Sequence, residues 1–180
     1  MSDAIRVGLV GFGYASKTFH APLIGGTPGM ALKAVASSDA DKVHADWPGV
    51  KVMSAPGDLL DDPDIDLVVI ATPNDTHFPL AKAALEAGKH VVVDKPFTVT
   101  LSQARELESL AKHCGRILSV FHNRRWDSDF LTVSALINEG QLGEVCYFES
   151  HFDRFRPQVR QRWREQAGPG SGIWYDLAPH

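Results

Sequence analysis

A glycine-rich turn near the amino terminus is the first place where residue types and spacing point to chemistry. Gly11 and Gly13 follow the apolar run Ile5 to Val10, which is typical of a buried strand, and they precede a helical pattern. Gly11 allows a sharp turn, and Gly13 lets a pyrophosphate approach backbone N–H groups at the positive end of a helix. Ser16 stands where a third glycine is usual, and its small side chain still fits there. The predicted dinucleotide-binding residues are Gly11, Phe12, Gly13, Tyr14 and Ala15, and a glycine-rich turn in another α/β domain is the alternative.

The end of the second predicted strand bears on which dinucleotide this turn would bind. An acidic residue about 20 residues beyond the glycines usually binds a free ribose 2′-hydroxyl. Ser37 and Ser38 occupy that place here, Asp39 follows them, and Lys42 lies on the next turn. Because hydroxyls and a cation suit a 2′-phosphate, we expect NADP as the cofactor, with NAD possible. The alternative is that Ser38 only caps a helix and Lys42 is solvated.

Polar clusters follow the predicted fourth, fifth and sixth strands. The carboxyl ends of the strands form the ligand-binding edge of an open α/β sheet. Lys95 stands between a buried strand and a proline that favours extended backbone, so we expect its side chain to point over this edge. The three clusters are Thr72-Pro73-Asn74 with His77, Asp94-Lys95-Pro96, and His122-Asn123-Arg124-Arg125.

Asp176 and His180 form a further pair near the end of the chain. They are four positions apart, so on a helix they would share one face and bind each other or one substrate. A surface ion pair would have the same spacing.

Strand and helix patterns alternate about six times before these last residues. Parallel strands need a crossover, usually helical, between them, so the alternation predicts a parallel sheet with helices on both faces. We therefore expect an α/β fold, a doubly wound Rossmann sheet, over residues 1–121. Its predicted strands are Ile5 to Val10, Met30 to Ala36, Val50 to Met53, Leu67 to Ala71, His90 to Val93 and Ile117 to Phe121.

Residues 122–180 have a different character. A helix is predicted from Asp127 to Glu139, and the alternation from Val145 to Phe152 predicts an antiparallel strand. One helix and one or two strands cannot bury both faces of a new sheet, so we expect the start of an α+β second domain that is truncated. Five arginines follow, interleaved with Phe155 and Trp163: Arg154, Arg156, Arg160, Arg162 and Arg164.

Composition excludes several classes of protein. Apolar residues make up 44% of the 180 residues and charged residues 22%, as in a globular protein, and no apolar run approaches the length of a membrane span. Met1-Ser2-Asp3-Ala4 does not resemble a signal peptide, so a cytoplasmic location is expected. Cys114 and Cys146 suggest neither a disulfide framework nor a metal site. The net charge of −4 argues against nucleic acid as a partner, although the arginine run is the residue set that would bind it.

Together these motifs resemble the Gfo/Idh/MocA family of oxidoreductases, which includes glucose-fructose oxidoreductase and inositol dehydrogenase. The resemblance extends over the whole chain and rests on the order of the motifs: the Gly11 turn, Thr72-Pro73-Asn74 with His77, Asp94-Lys95-Pro96, and Gly170-Ser171-Gly172 before Asp176 and His180. Stretches such as Phe121 to Trp126 are similar to the YdgJ-type branch of the family, which implies no substrate.

The resemblance implies roles for particular residues. Lys95, Asp176 and His180 correspond to the residues around the reacting alcohol, with His180 as general acid or base and Lys95 stabilising the developing alkoxide. Asp176 would orient the imidazole or bind another hydroxyl. The predicted cofactor-binding residues also include Thr72, Pro73, Asn74, His77, Asp94, Lys95, Asn123, Trp163 and Arg164.

The resemblance also implies an activity and what the chain lacks. We expect an NAD(P)-dependent dehydrogenase for a secondary alcohol or ketone of a polyhydroxylated small molecule, a sugar or a cyclitol, with neither a membrane nor a nucleic acid as partner. Family members continue into a large antiparallel sheet that supplies much of the substrate pocket and commonly an oligomer interface. This chain is therefore expected to be an amino-terminal fragment of an enzyme that is homo-oligomeric at full length. The alternative is a truncated dinucleotide-binding module without turnover.

Overall fold

Six parallel strands in the first part of the chain form one sheet. The computed structural model describes residues 4–153, 155–158 and 161–180 and divides the chain into two units, residues 1–121 and 122–180. The strand order is β3-β2-β1-β4-β5-β6. Strands β2 and β3 are therefore added on one side of β1, and strands β4 to β6 on the other side. The strands are β1 (Ile5–Val10), β2 (Met30–Ala36), β3 (Lys51–Met53), β4 (Leu67–Ile70), β5 (His90–Asp94) and β6 (Leu118–Phe121).

Helices connect successive strands, as parallel pairing requires. The first connection begins as a π-helical segment, Ser16–His20, and continues directly as an α-helix. A capping box at Thr100 starts the longest helix, and Gly115, in the left-handed conformation, ends it. The helices of this unit are α1 (Ala21–Gly26), α2 (Ala40–His44), α3 (Pro56–Leu60), α4 (Asn74–Glu86) and α5 (Leu101–Cys114).

Both faces of the sheet are buried, each by its own set of helices. On one face Leu59 of α3, Leu85 of α4 and Leu107 of α5 pack in one cluster with strand residues. On the other face Ile24 of α1 and Val43 of α2 pack in a second cluster with the strands. The predicted doubly wound Rossmann fold is therefore confirmed.

Arg6 and Asp66 join β1 to β4 at the amino end of the sheet. Arg6 donates to Asp66 Oδ2 from its backbone N at 2.8 Å and from Nε at 2.9 Å, and to Oδ1 from Nη2 at 2.7 Å. Hydrogen bonds from the Arg6 side chain and backbone lower the pKa of the Asp66 carboxyl to about 2, against a smaller opposing effect of burial. This contact closes the edge opposite the one where ligands bind in such sheets.

The second unit contains helices and turns but no strand in the residues that the structure describes. Its elements are two short 3-10 helices, Asn123–Trp126 and Trp163–Glu165, with α6 (Ser128–Asn138) and α7 (Ile173–Leu177). None of the helices in the described parts of either unit is long and apolar enough to cross a bilayer.

The predicted strand from Val145 to Phe152 is wrong. The backbone there forms no strand, and Tyr147 and Phe148 are exposed. A strand needs a neighbouring strand for its N–H and C=O groups, and the described residues of this unit supply none. Alternation of side chains is thus insufficient to form a strand without a partner.

Asp66→Asn is expected to destabilise the first unit at pH 7 by about 1 kcal/mol, a small value because the pair is partly exposed. Since the pKa of Asp66 is lower in the folded than in the unfolded state, its carboxylate stabilises the fold above pH 4, and that contribution is lost as pH falls towards 2. The variant should therefore lose less stability than the wild type between these pH values in urea unfolding. Asp61→Asn, at an exposed aspartate, is the control; equal acid loss in Asp66→Asn and wild type would contradict the assignment.

Candidate active site

Gly11 brings the end of β1 against the end of β4. Its φ is +88°, and a β-carbon there would lie 2.7 Å from the carbonyl oxygen of Ala71 and 3.1 Å from Thr72 Cγ2. Such a conformation and such proximity to backbone exclude a side chain. Gly11 N also donates to Ala36 O at 2.9 Å, so this turn contacts the ends of both β2 and β4.

Gly13 lies at the start of the helix and faces open space. A β-carbon built on it meets nothing within 4 Å, and its carbonyl accepts the first hydrogen bond of the helix, from Lys17 N at 3.1 Å. The first N–H groups of a helix have no partner within it and carry its positive end. An anionic group therefore fits beside Gly13, in the space that a side chain would fill.

The other residues of this turn have distinct environments. The Phe12 side chain is buried in the core, so only its backbone is available to a ligand, whereas Tyr14 is exposed. Ser16 is fully buried, and its hydroxyl donates to Gly11 O at 2.8 Å. The serine thus closes the turn by a hydrogen bond that a glycine could not make.

The end of β2 places Ser37, Ser38 and Lys42 on the next turn of the same edge. Asp39 is the N-cap of α2, because its carboxylate accepts the backbone N–H of Lys42 at 3.0 Å. The alternative in which Ser38 caps this helix is therefore wrong. Ser38 and Lys42 are exposed, while Ser37 Oγ bonds the backbone of Asp39.

A turn over Thr72, Pro73 and Asn74 follows β4, and the buried side chain of His77 contacts the backbone of this turn. His77 is 0% exposed, with Nδ1 2.8 Å from Pro96 O and Nε2 3.0 Å from Thr72 O. A neutral imidazole donates from one nitrogen only, so both contacts are hydrogen bonds only when the ring is doubly protonated. His77 thus connects the turns after β4 and β5, and its side chain is not available to a ligand.

The end of β5 carries Asp94 and Lys95. Asp94 is 15% exposed at its side chain, and its Oδ1 accepts the Lys95 backbone N–H at 2.8 Å. Burial raises the pKa of Asp94, but the His20 imidazole 3.8 Å away and the Lys95 N–H outweigh it, so the pKa lies below its usual value. The group is therefore a carboxylate at neutral pH. Lys95 itself is partly exposed.

In the second unit, Trp163, Arg164 and Asp176 lie together. The Arg164 guanidinium lies 4.5 Å from the centre of the Trp163 ring, and Arg164 Nε lies 3.2 Å from Asp176 Oδ1. Arg164 and Asp176 line a cavity of about 250 Å³ within this unit. A predicted cofactor-binding residue and a predicted catalytic residue thus form one ion pair.

His180 lies beyond the helix that contains Asp176. α7 ends at Leu177, and a turn follows in which His180 N donates to Leu177 O at 3.0 Å. Pro179 has no N–H to continue the helix. The common helical face expected for Asp176 and His180 is therefore not formed, and the His180 ring stacks instead on Phe152, with centres 6.4 Å apart.

Asn123 begins the 3-10 helix that opens the second unit. Three of the five arginines are described, and each faces a carboxylate: Arg156 and Arg162 face Glu165, and Arg164 faces Asp176. Arg154 and Arg160 lie outside the described residues.

Sequence reasoning missed His20. It is 4% exposed, lies at the end of the π-helical segment, and faces both Asp94 and the Phe121 ring. The sequence feature that could have indicated His20 is its spacing of four residues from Ser16, which places both residues on one face of the helix.

Both parts of the chain match one protein family. Residues 5–122 match the Gfo/Idh/MocA oxidoreductase family, NAD-binding Rossmann fold, and residues 134–180 match the C-terminal alpha/beta domain of the same family. The chain belongs to the Gfo/Idh/MocA oxidoreductase family, and the resemblance seen in the sequence is confirmed.

Several relatives are similar over the whole chain. YdgJ of Escherichia coli K12, an uncharacterized oxidoreductase, is 79% identical over 180 residues, which are 100% of this chain and 52% of YdgJ. The scyllo-inositol 2-dehydrogenase (NADP(+)) IolW of Bacillus subtilis is 39% identical over 99% of this chain and 50% of its own length. A solved oxidoreductase structure from Yersinia pestis has a TM-score of 0.92 at 69% identity and covers 100% of this chain and 51% of that one. The chain thus spans about half the length of these relatives.

The two glycines of the turn should respond differently to alanine. Gly11→Ala is expected to cost about 2 kcal/mol of stability or more, because it combines a positive φ with a backbone clash. Gly13→Ala should leave the melting temperature nearly unchanged and weaken binding of a nicotinamide dinucleotide, NADH or NADPH, about tenfold or more, because its β-carbon enters the space beside the helix start.

Thermal melting and nicotinamide fluorescence titration measure the two effects. Gly49→Ala, which also meets open space, is the control and should alter neither quantity. Unchanged affinity for both dinucleotides in Gly13→Ala would place the phosphates elsewhere.

Proposed function

We propose that the chain is the cofactor-binding half of an NAD(P)-dependent dehydrogenase or reductase that acts on a secondary alcohol or ketone. The observation that carries the proposal is the Gly11 turn, with open space at Gly13, at the same sheet edge as Lys95. Residues 1–121 would be the dinucleotide-binding domain, and residues 122–180 would begin the substrate domain.

The residues proposed to bind the cofactor extend along this edge. The backbone from Phe12 to Ala15 would bind the pyrophosphate at the helix start. Thr72, Pro73 and Asn74 would lie against the dinucleotide beside β4, with His77 positioning that turn. Asp94 and Lys95 would lie beside the nicotinamide, and Asn123, Trp163 and Arg164 would contribute from the second unit.

NADP is the proposed cofactor. Ser38 and Lys42 are exposed beyond the end of β2. Of the two carboxylates next to them, Asp39 accepts a hydrogen bond from its own helix, and Asp41 lies in the first turn of that helix. A cation and hydroxyls favour a 2′-phosphate over a free hydroxyl. The name of the Bacillus subtilis relative specifies NADP(+), and a Synechocystis biliverdin reductase 31% identical to this chain was solved with NADP+.

In the proposed mechanism, three side chains handle the substrate hydroxyl. The bound nicotinamide would supply the hydride acceptor for an alcohol or the hydride donor for a ketone. His180 would take the hydroxyl proton during oxidation and return it during reduction, since imidazole exchanges protons near neutral pH. Lys95 would stabilise negative charge on the substrate oxygen, and Asp176 would orient the imidazole or a second hydroxyl.

A sugar or cyclitol is the proposed substrate class. Asp176 shares its cavity with arginines and Glu165, and such closely spaced polar groups suit several hydroxyls on one ring. Scyllo-inositol is named for the Bacillus subtilis relative, and 1,5-anhydro-D-fructose for a reductase of Ensifer adhaerens that is 29% identical.

Cofactor preference can be tested on the 180-residue chain. NADPH should bind about tenfold more tightly than NADH at equal ionic strength, and Lys42→Glu should remove most of this difference by replacing attraction with repulsion. Nicotinamide fluorescence gives both dissociation constants. Lys33→Glu, the same charge change at an exposed residue within β2, should keep the preference; tighter binding of NADH by the wild type would refute the proposal.

Testing the roles of Lys95 and His180 requires a protein that contains this chain and has the full length of its relatives. Lys95→Ala and His180→Ala should each lower kcat about 100-fold or more, with cofactor affinity within ~3-fold, because both act on charge that develops in the transition state. Steady-state kinetics with scyllo-inositol and other polyols measures this, with Lys33→Ala as the control. A near-normal kcat in either variant would remove that residue from the proposed mechanism.

A further inference from the structure

His20 is a buried ring whose environment the proposed mechanism does not explain. It is 4% exposed, and among the described residues its Nε2 has no hydrogen-bond partner. Buried polar atoms of this kind are few in folded proteins, and each one calls for an explanation. Its position at the end of a π-helical segment adds to this, since such segments are frequent at functional sites.

The ring lies between the ends of two strands. Its centre is 4.4 Å from that of Phe121, the last residue of β6, and its Nε2 is 3.8 Å from Asp94 Oδ2, at the end of β5. That separation is longer than a hydrogen bond, and a shift of under about 1 Å in the carboxylate would complete one. Both side chains are largely buried, which strengthens their interaction relative to one in water.

The same carboxylate holds the backbone of the next residue. Asp94 Oδ1 accepts the Lys95 N–H at 2.8 Å, while Oδ2 faces His20. A rotation of the carboxylate would therefore alter both contacts at once. His20, although distant in sequence, is connected to Lys95 through one intermediate side chain.

We propose that His20 is a positioning residue for Lys95: its Nε2–H faces and orients the Asp94 carboxylate, which in turn fixes the Lys95 backbone at the sheet edge. The proposal rests on the proposed function for the role of Lys95 in turnover. The link from His20 to Lys95 can be measured without it.

Two substitutions separate the polar contact from packing. His20→Phe keeps a ring against Phe121 but has no N–H, whereas His20→Gln loses the ring and places an amide donor near Nε2. In the 180-residue chain, His20→Phe should move the ¹H–¹⁵N resonance of the Lys95 amide, and His20→Gln should leave it near its wild-type position. His113→Ala, at an exposed histidine on α5, is the control.

The wild-type chain gives a measurement that requires no variant. Ring ¹⁵N shifts of His20 at neutral pH should show that Nε2 carries a proton. An unprotonated Nε2 facing Asp94 would overturn the proposal, even if every His20 variant failed to fold.

Kinetics in a protein of full family length completes the test. His20→Phe should lower kcat about tenfold, leave the KM for NADPH within ~3-fold, and be rescued by Gln at the same position. If His20→Phe kept full activity while His20→Gln lost it, the role of His20 would be packing alone. If both variants bound NADPH more weakly, His20 would instead contact the cofactor. If Lys95→Ala were active, the proposed function would fail, while the amide shifts would still decide whether His20 positions the Lys95 backbone.

Discussion

The close approach of Gly11 to the carbonyl of Ala71 is the constraint on which the candidate site depends. Strands β1 and β4 are neighbours in the sheet, but the chain leaves them towards opposite sides, which opens a crevice at their carboxyl ends. At Gly11 the two backbones come too close for any side chain. The helix start at Gly13 is consequently held at the mouth of this crevice, where an anion can reach it.

Buried polar side chains connect this crevice to its neighbours. Ser16 closes the glycine turn, His77 links the turns after β4 and β5, and Asp94 holds the Lys95 N–H. Each bond ends on backbone, so these side chains fix the course of the loops more than they offer groups to a ligand. Because these bonds already position the loops, only a few side chains on the loops are needed to contact the substrate or the cofactor.

The second unit is held together by ion pairs and local turns. Its ion pairs, such as Arg164 with Asp176, hold short segments together, while large apolar side chains including Trp126, Phe130 and Tyr147 remain exposed. A helix satisfies its own backbone, so α6 forms from local sequence. The segment from Val145 to Phe152 has strand-like alternation but needs a neighbouring strand that the described residues do not provide.

The alternation of strands and helices, the doubly wound fold and the residues at the carboxyl edge can all be predicted from the amino-acid sequence. Those features follow from near neighbours: strand runs ended by glycine, the cap at Thr100, and the turn at Gly11. Only the folded structure shows that His77 lies beneath the carboxyl edge with Nδ1 beside Pro96 O, and that His20 faces Asp94. These two contacts join residues far apart in the chain, and their geometry depends on how each helix is rotated against the sheet. A pattern that records only which residues are apolar cannot specify that rotation closely enough to place one ring nitrogen beside one carboxylate.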